Sequence, residues 1–452
     1  MNALRYSLLM ISLCIPFTAH AEWAHVQRIP SQDPSAVAGS RFGNSLGADV
    51  RFGPNTVRAL YVGAPNATAT YLGNDYAGAG VVYILSNYGG TWHTVSTMRA
   101  TAPQVNAHFG AAVAVQNGII VVGEPDYDNQ GHTDAGRVWY FEDYHFNNPN
   151  FPEPAISSMT ERTVSFDNAH LGASVAVNGS GKVIGGTGSF AAAGAPGLAG
   201  VGCVYVNYFA VNQTVEKGSI CGAASGDSYG SSVAVLTMDS TQINLVVGAP
   251  GESQGGNATA GGAHVAVFSA GTLFAYGDLA AQNPTLFDFF GTSVAIDSHR
   301  IYVGASGRDK SGVGRTGSVS LFTPGNIIGY NFNGEIFPVN GAPGDLCGAS
   351  VSLNQATDKG FAMGCPGSDG LVSGEGSVYV ENPIPFLGGT LWIGEELNMA
   401  DLPHGADDLG RGVVIVADRV YAGSPFANAP GSDDGAVDIF ATDALFANGF
   451  EN

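Results

Sequence analysis

Charge is scarce in this chain, and positive charge most of all. Only 12% of the 452 residues are charged, with 17 Lys and Arg against 38 Asp and Glu, a formal net charge of −21. Nucleic-acid binding needs a basic surface to neutralise phosphates, so that class falls away. Past the N-terminal stretch there is no uncharged apolar run of spanning length, which excludes a later transmembrane helix. The Ala, Glu, Lys and Leu enrichment of coiled coils and helical bundles is also missing. What abounds is glycine: 65 of 452 residues, about 14%, roughly twice the usual share. These glycines have no three-residue period, so collagen is excluded. A hydrophobic content of 45% is enough to bury a core, so the chain is not disordered.

The first 21 residues read as a secretory signal peptide. Arg5 is the positive region, Tyr6 to Phe17 the apolar stretch, and Ala19-His20-Ala21 the small-residue cleavage pattern. The apolar stretch is short for a bilayer span. Leu13 is too large for the residue before a lipidated cysteine, which argues against an anchor at Cys14. The expected product is a soluble, exported chain beginning at Glu22, secreted, on the cell surface or in the periplasm.

Internal repeats organise the rest. A first anchor, an apolar or aromatic residue followed by Gly, occurs as Phe42-Gly43, Phe109-Gly110, Leu171-Gly172, Tyr229-Gly230, Phe290-Gly291, Cys347-Gly348 and Leu409-Gly410. A second follows each one: Gly63-Ala64-Pro65, Gly123-Glu124-Pro125, Gly185-Gly186-Thr187, Gly248-Ala249-Pro250, Gly304-Ala305-Ser306, Gly364-Cys365-Pro366 and Gly423-Ser424-Pro425. A third is a small residue leading a β-rich run, as at Gly80 to Leu85, Gly136 to Phe141, Gly317 to Phe322 and Gly435 to Phe440.

This pattern resembles the FG-GAP repeat of integrin α-subunit head domains and of many exported bacterial proteins. The resemblance implies an all-β fold: a seven-bladed β-propeller of four-stranded antiparallel blades over residues 22–441, followed by a short tail, 442–452. The residues agree, since each unit holds short β-rich runs separated by Gly and Pro turns. Two positions after the anchor Gly stand Ser45, Ala112, Ser174, Ser232, Ser293, Ser350 and Gly412, all small. The next residues are Leu46, Val113, Val175, Val233, Val294, Val351 and Val413, all large and apolar. Strand side chains alternate faces, so the inner strand has one small face, which lets the neighbouring blade approach, and one bulky face. It also leaves an axial channel without a ring of carboxylates or histidines. The seventh unit has no room for a fourth strand after Phe440, while Glu22 to Ile29 is an orphan strand. That strand is expected to complete the last blade and cover its open edge.

Four cysteines remain after cleavage, which allows three connectivities. Cys347 and Cys365 stand in the first and second anchors of unit six, and would face each other if the first two strands pair. Cys203 and Cys221 would do so across the third and fourth strands of unit three. The expected disulfides are Cys203–Cys221 and Cys347–Cys365. A paired-thiol metal site lacks the short Cys-x-x-Cys element.

The metal candidate is the run Asp126 to Asp134. Carboxylates at its first, third and ninth positions surround Gly131 at the sixth, and calcium takes several oxygens from one tight loop. It resembles the calcium loop of integrin propellers, which implies Asp126, Asp128, Gln130 and Asp134 as ligands and calcium as the cofactor. It departs from that pattern in two ways: Gln130 replaces the third acid, and the loop follows the second anchor instead of preceding it. Asp369 with Glu375, and Asp433 with Asp434, occupy the equivalent loops.

Asp227, Asp288, Asp345 and Asp407 each stand three residues before an anchor Gly, which points to a repeated turn. His108 and His170 share the position before the anchor and read as turn residues; His404 with Asp407 and Asp408 lies in the same kind of turn. No catalytic elbow, metalloprotease helix motif or phosphate loop is present, and Gly194 to Gly202 joins strands. The sequons at Asn66, Asn178, Asn212 and Asn257 matter only in a host that glycosylates exports. The last residues, Leu445 to Glu451, are similar to a short Gly-Phe-Glu ending of some exported proteobacterial proteins. The functional expectation is a non-enzymatic, monomeric binding or adhesion module for protein or glycan. A polysaccharide-active enzyme and a structural surface component are the alternatives.

Overall fold

Each repeat unit folds as one antiparallel sheet of four strands, and seven such sheets form a β-propeller. The computed structural model describes residues 23–442 apart from 32–38, 51–56, 89, 146–153, 180–187, 211–212, 270, 311, 313, 326–328, 355–359, 370–372, 387–388, 399–405 and 428–433. The leader, the C-terminal tail, Asn212, His404 and Asp433 lie outside the described residues. Blade 1 holds Ser45–Val50, Val57–Ala64, Val81–Tyr88 and Thr91–Met98, with a small extra hairpin of Ala69–Tyr71 and Asn74–Tyr76. Blades 2 to 6 begin at the strands Ala112–Gln116, Ser174–Gly179, Ser232–Thr237, Phe290–Ile296 and Ser350–Leu353. Blade 7 takes Val413–Val416, Arg419–Ser424 and Ala436–Thr442 from one end of the chain and Trp23–Pro30 from the other. Trp23 pairs with Thr442 and Pro30 with Ala436, so the expected closure by the N-terminal strand holds. Among the described residues no helix is long and apolar enough to cross a membrane.

In each blade the first strand leads away from the anchors and the second returns to them. The loops joining second to third strands, and those joining one blade to the next, therefore share one end of the propeller, the anchor face. The second strands are the most buried: every residue of Ile119–Glu124 and Ser189–Ala195 is inaccessible. The apolar core lies between blades. Tyr61, Val82 and Ile84 of blade 1, for example, pack on Val113, Val122 and Trp139 of blade 2.

The seams explain the anchors. The N–H of each first-anchor residue donates to a carbonyl just before the third-anchor glycine of the preceding blade: Phe109 to Ala79, Leu171 to Ala135, Tyr229 to Val201, Phe290 to Ala260, Cys347 to Thr316 and Leu409 to Glu375. Phe42 donates to Asp434 in the same way, so the pattern closes around the ring. The third-anchor glycines, Gly317 among them at φ +80°, are left-handed, and a Cβ there would overlap the next blade's anchor backbone. The second-anchor glycines are needed for space. A Cβ on Gly63, Gly123, Gly194, Gly248, Gly304, Gly364 or Gly423 would overlap the carbonyl of the next first-anchor glycine. The small inner-strand residues do more than yield room. Ser45, Ser174, Ser232, Ser293 and Ser350 each donate a hydroxyl hydrogen bond of 2.7–2.8 Å to that same carbonyl.

One anchor needs correcting. In unit three the ladder pairs Ser174 with Gly194, as Ser232 pairs with Gly248 in unit four. The second anchor there is Gly194-Ala195-Pro196, and Gly185-Gly186-Thr187 lies outside the described residues. A short 3-10 turn, Leu198–Gly200, follows the anchor.

Both expected disulfides are present, Cys203–Cys221 across paired strands of blade 3 and Cys347–Cys365 within blade 6. Each closes a segment with a sequence separation of 18, which by loop-closure entropy stabilises the fold by about 3 kcal/mol. The outer strands would be open edges. In six blades the third-to-fourth-strand ladder carries a register shift, a bulge that blunts the edge.

Gly304→Ala is expected to destabilise by about 1–3 kcal/mol, because the new methyl meets the next blade's backbone. Gly277→Ala, at an exposed glycine with nothing within 4 Å of an added Cβ, should be neutral or slightly stabilising. Urea denaturation of both variants checks the contrast. Removing residues 22–30 opens blade 7 and should lower the melting temperature sharply; an unchanged melting curve would refute closure.

Candidate functional site: the channel and the anchor face

The axial channel has a volume of about 640 Å³ and is lined by inner strands of all seven blades. Its side chains include Leu46, Val113, Val175, Val233, Val294 and Val351, and among the described residues none of the lining is ionisable. The inner strands stand at the edge of each four-stranded sheet. Carboxamides tie neighbouring blades together where the inner strands end. Asn178 Oδ1 accepts from the Thr237 N–H, and Asn354 Oδ1 from the Ala417 N–H.

The titratable groups sit instead at the anchor face and between blades, mostly in pairs. Glu124 stands where blades 1, 3, 4 and 5 have Ala, and its side chain is fully buried. Its cross-strand partner Arg137 donates to it at 2.8 Å, Trp139 Nε1 donates at 2.7 Å, and the guanidinium lies over the Tyr127 ring. Burial still pushes the Glu124 carboxyl up, with Arg137 opposing. In blade 5 Arg308 donates to Asp288 and Glu335. In blade 7 Arg28 donates to Asp407 at 2.7 Å. At the seam of blades 1 and 2, Arg58 lies between Asp143 and Asp49, and burial lifts Asp49 to about 7 despite Arg58. None of these buried pairs stood out in the sequence; a Glu inside an otherwise Gly-Ala-Pro anchor was the readable signal for one.

The acids before the anchors serve as turn caps. Asp227, Asp288 and Asp345 each accept from the N–H three residues earlier. Asp128, Asp309 and Asp369 close the loops between second and third strands by accepting from the N–H of Asp134, Arg315 and Gly374.

These contacts bear on the calcium loop. Asp126 is drawn away from Asp128, Gln130 and Asp134 as a ligand set: its two carboxylate oxygens take Nδ1 of His108, at 2.5 Å, and of His170, at 2.9 Å. Asp128 holds the loop backbone, and the backbone is left-handed at Gln130 and Asp134. Among the described residues no three His, Cys, Asp or Glu side chains converge to hold a metal. In this arrangement both Asp126 oxygens are engaged by imidazoles, apart from Asp128, Gln130 and Asp134.

The two imidazoles come from the repeated turn position before the anchors of blades 2 and 3, so Asp126 links two blades. Burial would raise this carboxyl, but the two histidine hydrogen bonds outweigh it and hold it well below the usual range. The hydrogen bond to Asp126 raises His170 above its ordinary value, against burial.

The anchor face also exposes apolar side chains. Val105, Phe166, Leu286, Phe287 and Val339 lie in the blade-connecting loops, and Leu72 in the extra hairpin. They account for six of the twelve exposed large hydrophobics among the described residues.

Residues 277–322, from the last strand of blade 4 through the third strand of blade 5, match the family model described as FG-GAP repeat. The propeller is similar to the crystal structure of a protein from Lactobacillus plantarum, at 12% identity and a TM-score of 0.47, over 79% of this chain and 84% of that one. No curated protein matches.

The Asp126 pair sets a pH window. His170 holds its proton more tightly when folded, so its contribution is complete below its ordinary 6.5 and is lost as pH rises through the raised value. Asp126 contributes above its ordinary 3.8 and loses that contribution as pH falls through the lowered value. The link is therefore strongest between pH values of about 4 and 6.5. His264, held up by Glu252 and Asp278 against burial, adds a slope of the same sign. Melting at pH 5.5 and 8.5 should show wild type losing more stability over that interval than His170→Asn. Equal losses would refute the link.

Proposed function

We propose that this chain is an exported, non-enzymatic binding module that takes up a protein or glycan through the loops of its anchor face. The observation carrying this reading is the distribution of side chains on that face. Large apolar groups are left in solvent in the blade-connecting loops, where propellers and other rigid scaffolds place recognition. The ionisable groups, by contrast, are largely consumed by structural pairs. Two disulfides suit an oxidising compartment, and a net charge of −21 favours neutral or basic partners over polyanions.

A polysaccharide-active enzyme is the second reading. What favours it is the half-exposed His108–Asp126–His170 group, a carboxylate flanked by two imidazoles at one site. One experiment separates the two. The mature protein is passed over immobilised exported proteins and neutral polysaccharides, and the supernatants are assayed for released oligosaccharide. Retention without product release is expected. Product release lost in Asp126→Asn would replace the binding reading with the enzyme.

A further inference from the structure

We propose that the loop leading into blade 5 is a subsite for an uncharged saccharide, with the Phe287 ring as its stacking platform. This inference rests on the binding reading above and deepens it.

The backbone singles the loop out. Four residues before the anchor glycine, five other units place Gly39, Asn106, Asn168, Gly226 and Gly344, all with left-handed φ between +54° and +93°. Those are the residue types that tolerate this conformation. Blade 5 has Phe287 there, at φ +66°. A bulky residue in this region is strained, and strain of this kind collects at binding sites. Burial offsets only part of that strain, because Phe287 stays 45% exposed and Leu286 beside it 52%. The Phe289 ring lies 6.1 Å from that of Phe287, so two aromatic rings stand together at the rim of the blade.

Amides and hydroxyls border them, and the Asp288 carboxylate between them in the chain is buried, accepting from Thr285 and Arg308. Asn257 donates to the Pro284 carbonyl, and the Phe287 and Phe289 N–H groups donate to Ala258 and Thr259. Asn283 and Thr285 complete the loop. The nearby cation Arg308 is spent on Asp288, Glu335 and the carbonyls of Asn283 and Gln282. A pyranose ring has an apolar C–H face and a hydroxyl rim, which matches aromatic rings bordered by amides and hydroxyls. An acidic sugar would meet the field of a chain with net charge −21. Two exposed side chains are also far too small for the interface of about 1,000 Å² that a stable protein complex needs, but suffice for one sugar ring.

The test is calorimetry of the full mature chain with cellohexaose, xylohexaose and mannohexaose, with oligogalacturonate as the acidic comparison. At least one neutral hexasaccharide should bind, and more tightly than oligogalacturonate. Phe287→Asn should weaken it about tenfold without lowering the melting temperature, since Asn suits the left-handed backbone. Leu286→Ser provides a second reading of the loop should the first variant fold poorly. Neutral-sugar binding untouched by both variants overturns the subsite and leaves the binding module standing. An exported protein captured in place of sugar, and lost in Phe287→Asn, reassigns the loop to a protein partner and overturns the saccharide. Absence of both sugar and protein binding overturns the subsite and the binding module together.

Discussion

Everything in this propeller depends on how closely one blade's backbone approaches the next. At each seam a glycine of the second strand lies against the carbonyl of the next blade's anchor glycine, with no room for a Cβ. In five seams a serine hydroxyl also bonds to that carbonyl. The contact fixes the spacing between sheets at the narrow centre of the ring, where side chains would otherwise force the blades apart. Once the blades stand this close, the alternation of the inner strand decides the rest: small groups such as Ser45 and Ser232 face the next blade, and branched ones such as Val113 and Val233 pack on the preceding blade and line the channel. Glycine abundance is thus a packing requirement applied seven times over.

The same closeness governs where charge can go. An ionisable side chain between blades must have a partner, since an unpaired buried charge is costly. Arg137, Arg308 and Arg58 all have side chains at least mostly buried beside carboxylates. The chain has few basic residues, and several of them are spent inside. Carboxylates are buried in greater number, Asp49, Glu124, Asp143, Asp288, Asp407 and Asp438 among them, so the surface keeps less of the chain's acidity than the composition alone suggests.

Much of this was legible in the sequence. The seven anchors, the closing strand and both disulfides followed from spacing, because each is imposed at a fixed point of a repeated geometry. Unit three misled because its second strand, Ser189 to Ala195, is nearly all small residues, so Gly185-Gly186 offered a rival glycine at a plausible distance; only the pairing of Ser174 with Gly194 decides between them. The partners of Asp126 were not legible. The acids of its loop are spaced as calcium ligands are, but spacing along the chain does not reveal that His108 and His170, 18 and 44 residues away, reach the same carboxylate. The serine column was read as small when its hydroxyl was the point. Phe287 was invisible as an oddity until the left-handed column gave it five glycine and asparagine counterparts.

The shared last blade has a mechanical consequence. Trp23 and Thr442, the outer ends of the two strands that close the ring, lie opposite each other in an antiparallel ladder. Tension applied through the two ends of the chain therefore loads that ladder one pair at a time, from Trp23 inward, like opening a zip. A parallel arrangement would have loaded all its bonds at once in shear. A ring whose thermal stability draws on every seam is thus weakest against a pull in the one direction its own termini define.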